Sequence, residues 1–462
     1  MNDNTTIILT TLAEYQTAFW VDVILALKKK SYHVIVLSYD DRSCELLDEV
    51  NICNYNVPRI ANRVGEKLSK EDYEKIYKRF DVDNANFWQT HERLVFKKYS
   101  KQQLDRKFVN YLVAIDVIFR EQIKKLKKAI IVQELGGFIS VLAAMFVARK
   151  YSVDNYFLEP SFFKGRLFIL KNTISAPHIP SELTSIVSQN VRKYIISTIK
   201  QKRIVVPDKD SKHYNTAFKK LADINNIKRL VRKLIDKYFL GKYQEFGHII
   251  VYVGLHVKMF FNARKLRKYY LSPDECGNFI YFPFHVPNDV AITLRSPEYY
   301  DQLALVEYIA RIVPHSINVA VKEHPAMIGA IDAGRLGKLL KTYDNLKLIS
   351  PSVNNYEVLE SSDMVVTINS KSGAEAVMLG KKVCVLGDAF YKNSPLVIYV
   401  DRLTDLPEAI RKTKPEYDMR YVERYFQTVW NKTVQGELYV NNPKNIQNFV
   451  NSMICISTGR IK

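Results

Sequence analysis

The chain has 462 residues, of which 47% are hydrophobic, and this length and composition predict a globular protein with two domains. No run of 18 uncharged apolar residues is present, so we expect no membrane-spanning helix. Residues 1–12 lack the features of a secretory signal. The five cysteines form no CxxC pair and no zinc-ligand spacing, which favours a cytoplasmic location and no bound metal.

The formal net charge of +20 comes from 68 Lys and Arg residues against 48 Asp and Glu residues. A positive surface of this kind attracts phosphates, nucleic acids, anionic lipids or acidic glycans. No aromatic RNA-binding signature accompanies the basic residues, so we expect no nucleic-acid partner. A biased composition that leaves a solvated positive surface explains the charge equally well.

The N-terminal part of the chain predicts a first α/β lobe. The β-branched runs 6–10 and 33–38 indicate strands, and residues 15–29 between them indicate a helix. Residues 66–128 have helical periodicity, and 129–132 and 155–158 indicate further buried strands.

Glu134 and Glu159 follow two of these strands, at the edge where parallel sheets bind ligands. Either carboxylate can act as a general base that deprotonates an acceptor hydroxyl. Either can equally be a helix-capping or surface carboxylate, and for a single glutamate at a strand end that is the more common case.

Residues 178–247 are polar, basic and mostly helical in pattern. Within them the run 227–242, IKRLVRKLIDKYFLGK, is amphipathic and basic, as in helices that lie on a membrane surface. We favour the prediction that this helix packs its apolar stripe on the domain, and we keep membrane contact as the alternative.

The second lobe is expected to open with 248–253 and to continue with a strand at 279–283 and a helix at 299–313. A further strand at 317–321 ends in Lys322, Glu323, His324 and Pro325. A strand at 364–368, a polar turn at 369–373, a helix at 373–379 and a strand at 383–386 follow. This pattern places backbone N–H groups and a helix N-terminus at the carboxyl edge of a parallel sheet, where phosphates bind.

The candidate ligand-binding residues lie in these two turns. Lys322 and His324 can bind a phosphate or protonate a leaving phosphate oxygen, although a strand end with solvated charges gives the same pattern. Ser370, Ser372 and Gly373 offer hydroxyl and backbone donors, and the serines are equally suited to capping the helix.

Glu375 lies in the first turn of the predicted helix, where the helix dipole favours a carboxylate. It can also accept hydrogen bonds from ribose hydroxyls.

Three segments carry a family resemblance: HVPND at 285–289, VKEHP at 321–325, and INSKSGAEAVMLGKKVCVLGDAFY at 368–391. They resemble the C-terminal half of the bacterial capsule polysaccharide biosynthesis proteins, a family that includes the Kdo transferases of capsule primers. More distantly they resemble bacterial sialyltransferases with an HP motif and a serine motif. The resemblance covers 277–391 and implies the GT-B fold, in which two Rossmann-like lobes face each other and the C-terminal lobe holds most of the donor.

The resemblance also implies roles for individual residues. His324, Pro325 and the turn from Ser370 to Gly373 would hold the CMP part of a donor, with Glu375 near the nucleotide. Phe284 and His285 follow the proline of the FP pair, where many relatives have Leu-Gln, and we include His285 among the donor-binding candidates.

The first lobe departs from the family pattern at the catalytic position. The Kdo transferases carry Glu-Asp-Gly-Phe where this chain has Glu159, Pro160, Ser161 and Phe162, so the mechanism that depends on that Asp is not carried over. Glu134, in QELGG, roughly matches the acidic motif of the sialyltransferases, and we take it as the first candidate base and Glu159 as the second.

These observations predict an α/β protein of GT-B type. Residues 1–245 would form the acceptor-side lobe with helical insertions, 246–400 the nucleotide-sugar-binding lobe, and 401–462 C-terminal helices that return toward the first lobe.

We expect a cytoplasmic glycosyltransferase that needs no metal. It would transfer an acidic sugar from a CMP-activated donor to a capsular or lipid-linked glycan, and peripheral contact with the inner membrane stays open. The alternatives are a nucleotide-sugar 2-epimerase of the same fold, acting on UDP-GlcNAc without an acceptor, and a non-enzymatic membrane-surface scaffold of capsule assembly.

Overall fold

Two mainly parallel sheets organise the protein, each covered by helices on both faces. The computed structural model describes residues 5–122, 128–180, 182–202, 204, 206, 224–413, 416 and 418–459. Within these ranges each sheet has seven strands. Because both faces of each sheet are covered, the central strands Thr5–Thr11 and Asn318–Lys322 are buried along nearly their whole length.

The first sheet is built mainly from the N-terminal third of the chain. Its strands are β1 (Thr5–Thr11), β2 (His33–Ser38), β3 (Asn54–Asn56), β4 (Lys128–Glu134), β5 (Asp154–Pro160) and β6 (Arg166–Lys171). Their order is β6-β5-β4-β1-β2-β3, and all pairs are parallel except β5 with β6. Central β1 places Leu9 opposite Val36 of β2 and Val132 of β4, so the predicted opening β-α-β unit is confirmed.

Eight helices of the described chain surround this sheet. They are α1 (Glu14–Lys28), α2 (Asp41–Glu49), α3 (Val57–Gly65), α4 (Asp72–Arg79), α5 (Ala85–Trp88), α6 (Thr90–Phe96), α7 (Lys101–Gln122) and α8 (Ile139–Lys150). The long α7 packs against both α3 and α8, as the helical pattern of residues 66–128 predicts.

Three helices connect the lobes: α9 (Gln189–Gln201), α10 (Ile224–Leu234) and α11 (Ile249–Leu266). A π-helical turn, Ile235–Phe239, continues α10, and a 3₁₀ turn, Arg267–Tyr269, follows α11. The expectation that α10 packs its apolar stripe on the domain is wrong, because Ile227, Val231 and Ile235 along that stripe are exposed.

The position of 248–253 as the opening of the second lobe stays a prediction. This segment forms the start of α11 and pairs with no described strand. Asn262 of α11 donates to the carbonyls of Gly329 and Ile331, which anchors the helix on the second lobe. His248, just before the helix, contacts the ring of Phe96 in the first lobe.

The second sheet contains β7 (Tyr270–Leu271), β8 (Phe279–Pro283), β9 (Asn318–Lys322), β10 (Leu346–Ile349), β11 (Met364–Thr367), β12 (Lys382–Val385) and β13 (Ile398–Tyr399). The order is β13-β12-β11-β8-β9-β10-β7, with every pair parallel. The described part of the chain thus forms two Rossmann-like lobes, which confirms the predicted α/β fold of GT-B type.

Five helices connect these strands: α12 (Val290–Thr293), α13 (Gln302–Ile312), α14 (Ala333–Thr342), α15 (Asn355–Ser361) and α16 (Lys371–Met378). Short 3₁₀ turns are Pro273–Cys276, Pro297–Tyr299, Pro325–Met327 and Leu403–Asp405. No helix in the described ranges combines the length and the apolar content needed to cross a membrane.

The C-terminal segment begins with α17 (Leu406–Arg411), which packs on β12 of the second lobe. The rest of the segment returns to the first lobe, as predicted, and contains α18 (Met419–Asn431), β14 (Thr433–Gln435) and α19 (Pro443–Ser457). Strand β14 pairs antiparallel with β6 at the edge of the first sheet. Helix α19 packs on α1, where the Phe449 ring contacts Phe19 and Trp20. The domain limits at 245 and 400 stay predictions.

A continuous apolar core joins the two lobes. Phe390 of the second lobe contacts the rings of Phe162 and Phe168 in the first lobe, and Phe426 of α18 packs on Phe162. Because these rings are buried together, the lobes share one hydrophobic cluster.

We expect Phe449→Ala to lower the free energy of unfolding by about 3–5 kcal/mol, because it leaves a cavity beside Phe19 and Trp20. Urea denaturation followed by far-UV circular dichroism measures the change. Gln447→Ala, at an exposed position of the same helix, is the matched control. Equal stabilities of the two variants would contradict the packing of α19 on the first lobe.

Candidate active site

The strand β9 ends at Lys322 and is followed by a sharp change of direction at His324 and Pro325. Lys322 is only 3% exposed, so its side chain is buried and not in bulk solvent. Burial lowers the pKa of Lys322 to about 8, while nearby Glu375 opposes that shift. The side chain is therefore a buried cation at neutral pH that is close to losing its proton.

His324 has an extended backbone and caps the 3₁₀ turn that Pro325 begins. Its Nδ1 accepts a hydrogen bond from the backbone N–H of Ala326 at 3.2 Å. Burial lowers the pKa of His324 to about 4, with a smaller opposing effect from Asp289. The ring is thus neutral at pH 7, and its proton lies on Nε2.

Ser370 and Gly373 form the polar turn after β11. Ser370 Oγ accepts from the backbone N–H of Ser372 at 3.2 Å and caps α16, which therefore begins at Lys371, two residues before the predicted start. A Cβ on Gly373 would lie 2.2 Å from Tyr391 Oη, and that hydroxyl donates to the Ser370 carbonyl. Only glycine therefore allows Tyr391 to support the turn at this position.

Glu375 and Ser372 are joined by Asn355, which donates to Glu375 Oε2 at 2.6 Å and to Ser372 Oγ at 3.1 Å. Burial raises the pKa of Glu375 to about 7, against opposing effects of Asn355, Lys371 and Lys322. The turn, the carboxyl group and Lys322 therefore belong to one connected cluster at the carboxyl edge of the second sheet. The predicted contact of Glu375 with ribose hydroxyls stays a prediction.

His285 lies in the same cluster, and its Nε2 accepts a hydrogen bond from the backbone N–H of Asn369 at 3.2 Å. Burial lowers the pKa of His285 to about 3, and His324 adds to that effect. The neutral ring therefore carries its proton on Nδ1, a buried atom that has no hydrogen-bond partner within the described residues.

The serine turn faces the first lobe. Lys371, inside that turn, donates from Nζ to the carbonyls of Pro160 and Ser161 at 3.1 and 2.9 Å. A second link joins His91 Nδ1 to Thr293 Oγ1 at 2.8 Å. The candidate site therefore lies where the carboxyl edges of the two sheets approach each other.

Glu159 forms an ion pair with Arg295 that joins the two lobes. Its two carboxylate oxygens accept from the two terminal nitrogens of Arg295 at 2.9 and 2.8 Å. The Arg295 side chain is only 5% exposed. A carboxylate that is paired on both oxygens with a buried guanidinium group is a poor proton acceptor, so the geometry disfavours Glu159 as a base.

Glu134 is half-buried at the end of β4, and it contacts side chains of the first lobe and of the C-terminal segment that packs on that lobe. Its Oε2 accepts from Tyr439 Oη at 2.6 Å and from Gln16 Nε2 at 3.2 Å. Tyr439 belongs to the C-terminal segment that returns to this lobe. These two contacts do not bring Glu134 to the cluster around His324, so the structure groups the second-lobe candidates together and leaves Glu134 apart from them on the first lobe.

Sequence reasoning missed several residues that organise the site. Asn355 connects the turn to Glu375, Arg295 neutralises Glu159, and Tyr391 supports the glycine turn. Lys371 and Tyr391 lie inside the quoted segment 368–391, so the sequence pointed to their region but not to their contacts. Asn355 and Arg295 come from other segments, and no spacing in the chain indicates their partners.

Within the described ranges, no three His, Cys, Asp or Glu side chains group in a way that could hold a metal ion. The expectation of metal-independent activity stays a prediction.

Comparison with known proteins identifies the family. A family profile described as "Capsule polysaccharide biosynthesis protein" matches residues 141–435, well over half of the chain. The chain belongs to this family. The matched segment includes Glu159, Lys322, His324 and the serine turn, so most of the candidate residues lie in the family's shared region.

A curated relative, protein FixF of Sinorhizobium fredii (strain NBRC 101917 / NGR234), is 29% identical over 173 residues. The match covers 36% of this chain and 41% of FixF, so the chain spans less than half the length of this relative.

Two solved structures match the chain at low identity and with low TM-scores. The "beta Kdo 2,7 transferase" KpsC of Thermosulfurimonas dismutans is 16% identical, with 84% of this chain and 97% of that chain covered and a TM-score of 0.36. The UDP-GlcNAc 2-epimerase of Methanocaldococcus jannaschii is 14% identical, with 92% and 99% covered and a TM-score of 0.24. At such scores neither likeness bears on the activity.

Glu375→Gln tests the buried carboxyl group. Burial raises the pKa of Glu375 from 4.5 to about 7, so ionisation of the wild-type side chain costs stability as the pH rises through that range. We expect the stability of Glu375→Gln relative to wild type to be about 3 kcal/mol more favourable at pH ~8.5 than at pH ~5.

Urea denaturation at the two pH values measures this difference. Glu357→Gln, an exposed glutamate on the neighbouring α15, is the control and should show no such pH dependence. A constant effect of Glu375→Gln across the pH range would rule out a raised pKa at this position.

Proposed function

We propose that this protein is a glycosyltransferase of surface-polysaccharide synthesis that transfers an acidic sugar from a CMP-activated donor to a glycan acceptor. The observation that carries the proposal is the cluster at the carboxyl edge of the second sheet. It combines a buried cation, two neutral imidazoles and a serine-capped helix N-terminus. These are the groups that bind a nucleotide phosphate.

In this proposal the donor phosphate lies between Lys322 and the N-terminus of α16. The Lys322 ammonium and the helix dipole stabilise the negative charge that grows on the phosphate as the sugar leaves. His324 donates from Nε2 to a phosphate oxygen, because its lowered pKa makes it a neutral hydrogen-bond donor and not a cation. His285 Nδ1 supplies a second buried donor from the neighbouring loop.

The acceptor hydroxyl attacks the anomeric carbon of the donor, and its proton passes to a carboxylate of the first lobe. Glu134 is the candidate for this role, since Glu159 is held by Arg295. Tyr439 and Gln16 donate to one oxygen of Glu134 and fix the orientation of its carboxylate. The bond from the sugar to the phosphate breaks, and CMP leaves with the electron pair.

Membership of the capsule polysaccharide biosynthesis family supports surface polysaccharide as the product. The choice of CMP rests on the resemblance of the HP and serine motifs to those of enzymes that use CMP-activated acidic sugars. The net charge of +20 favours an acidic donor and an acidic glycan. Lys322 and the helix dipole neutralise the phosphate in this mechanism, so no divalent cation is required.

Calorimetric titration with CMP, UDP, GDP and CDP tests the donor assignment. We expect CMP to bind most tightly. His324→Ala should weaken that binding about ten- to a hundredfold, the value of one hydrogen bond to a charged group. His315→Ala, an exposed histidine of the second lobe, is the control.

Turnover in the presence of EDTA should be unchanged. Epimerisation of UDP-GlcNAc without an acceptor, or an absence of binding to all four nucleotides, would contradict the proposal.

Glu134→Gln tests the base. It keeps the shape of the side chain and most of its hydrogen bonding but removes proton acceptance, so turnover should fall by roughly a hundred- to ten-thousandfold. Donor affinity should stay nearly constant, because the other lobe holds the donor. Steady-state kinetics and nucleotide titration separate the two effects.

Glu159→Gln is the paired variant at the end of the neighbouring strand. The substitution removes the charge that pairs with Arg295, so we expect a lower free energy of unfolding. Proton transfer from the acceptor hydroxyl should be retained, because Glu134 is unchanged. If Glu159→Gln shows the larger loss of turnover at full folding, the roles of the two glutamates are reversed.

A further inference from the structure

An exposed apolar surface covers one side of the helices between the lobes. On α10 the side chains Ile227, Val231 and Ile235 recur every four residues and are exposed. The following Tyr238 and Phe239 are also exposed, and Phe239 is 83% accessible. When a helix packs on its own domain, a row of apolar side chains like this one is buried in the contact. Here the row is exposed, which is typical of an interaction surface.

The neighbouring helix α11 has the same property and contacts α10. Its side chains Ile250, Val253, Val257 and Phe261 recur every three or four residues and are exposed, with Ile250 at 75%. The opposite face of α11 carries buried residues that hold the helix on the second lobe. We call the exposed apolar side chains of α10, its π-helical turn and α11 the two-helix surface.

Basic residues dominate the same segment. The run 227–242 contains six Lys and Arg residues and one acid, Asp236, and that acid is buried and paired with Arg42 at 2.6 Å. The run 249–268 contains five Lys and Arg residues and no acid. Apolar side chains flanked by basic ones match a surface of anionic lipid headgroups over acyl chains.

A groove on α10 adds to this match. It has a volume of about 370 Å³, with walls from the apolar side chains of the stripe and charged groups at Arg42, Lys228, Arg232 and Asp236. Lys228 lies beside the apolar atoms of the groove, where it can contact a lipid phosphate, while Arg42 and Arg232 are paired with Asp236 and Glu14.

The two-helix surface lies beside the acceptor side of the site. Arg232 of α10 pairs with Glu14 at 2.7 Å, and Glu14 begins α1. Two residues further along α1, Gln16 donates to Glu134. The segment after α10 also pairs Gln244 with Asp40, at the end of β2. The helices therefore lie over the carboxyl edge of the first sheet.

We propose that the two-helix surface docks the protein on an anionic phospholipid membrane, with Phe239 and Ile250 entering the headgroup layer and the flanking Lys and Arg residues contacting lipid phosphates. A membrane is favoured over a second copy of the chain, because two copies would bring the same dense positive charge together. The docked orientation would place the acceptor side next to the lipid surface.

Co-sedimentation with vesicles tests this surface in the full-length protein. We expect binding to phosphatidylglycerol mixed into phosphatidylcholine to be at least about tenfold stronger than to phosphatidylcholine alone. The double variant Phe239→Ser with Ile250→Asp should lose about tenfold, as should Lys228→Glu with Lys258→Glu. All four positions are exposed, so the fold should persist, as checked by circular dichroism.

Matched controls are Ile186→Asp and Lys338→Glu, at exposed positions on other parts of the chain. They should bind vesicles as the wild type does. Nucleotide binding should be unchanged in all variants, which separates this proposal from the proposed function.

Equal wild-type binding to neutral and anionic vesicles, or full binding by the double variants, would overturn the proposal. A wild-type dimer by light scattering that the apolar variant converts to monomer, without vesicle binding, would overturn it in favour of self-association.

Discussion

The contact between the two lobes is the constraint on which the site depends. Arg295 reaches across to both oxygens of Glu159, and Phe390 packs on Phe162 and Phe168 of the first lobe. The ion pair is buried on the Arg295 side, so separating the lobes would expose an apolar seam and leave a charge without its partner. This cost holds the carboxyl edges of the two sheets face to face, and the candidate site lies between them.

Burial determines the chemical character of the site more than the identity of its residues does. Two histidines that would titrate near neutrality in water are held as neutral hydrogen-bond donors, and Glu375 is held near the point of protonation. Lys322 stays charged but is close to losing its proton. A phosphate entering this cluster would meet fixed donors and little water, which is the condition under which electrostatic stabilisation of a leaving group is strongest.

The sequence predicted much of the architecture and part of the site. Apolar runs marked the strands β1, β2, β4, β8 and β9, and the serine turn marked the start of α16, because these signals are local. It failed where tertiary contacts decide the outcome. The apolar side chains Ile227, Val231 and Ile235 stayed exposed instead of packing on the domain.

What the sequence determined by itself is the alternation of strands and helices and the residue types at the strand ends. Periodicity and turn chemistry act over a few residues, and they suffice for this. Only the tertiary structure decided which candidates meet. Asn355 joins Ser372 to Glu375, Arg295 occupies Glu159, and Tyr439 reaches Glu134 from the far end of the chain. Such partners depend on how distant segments pack, and packing over that range leaves no pattern in the local sequence.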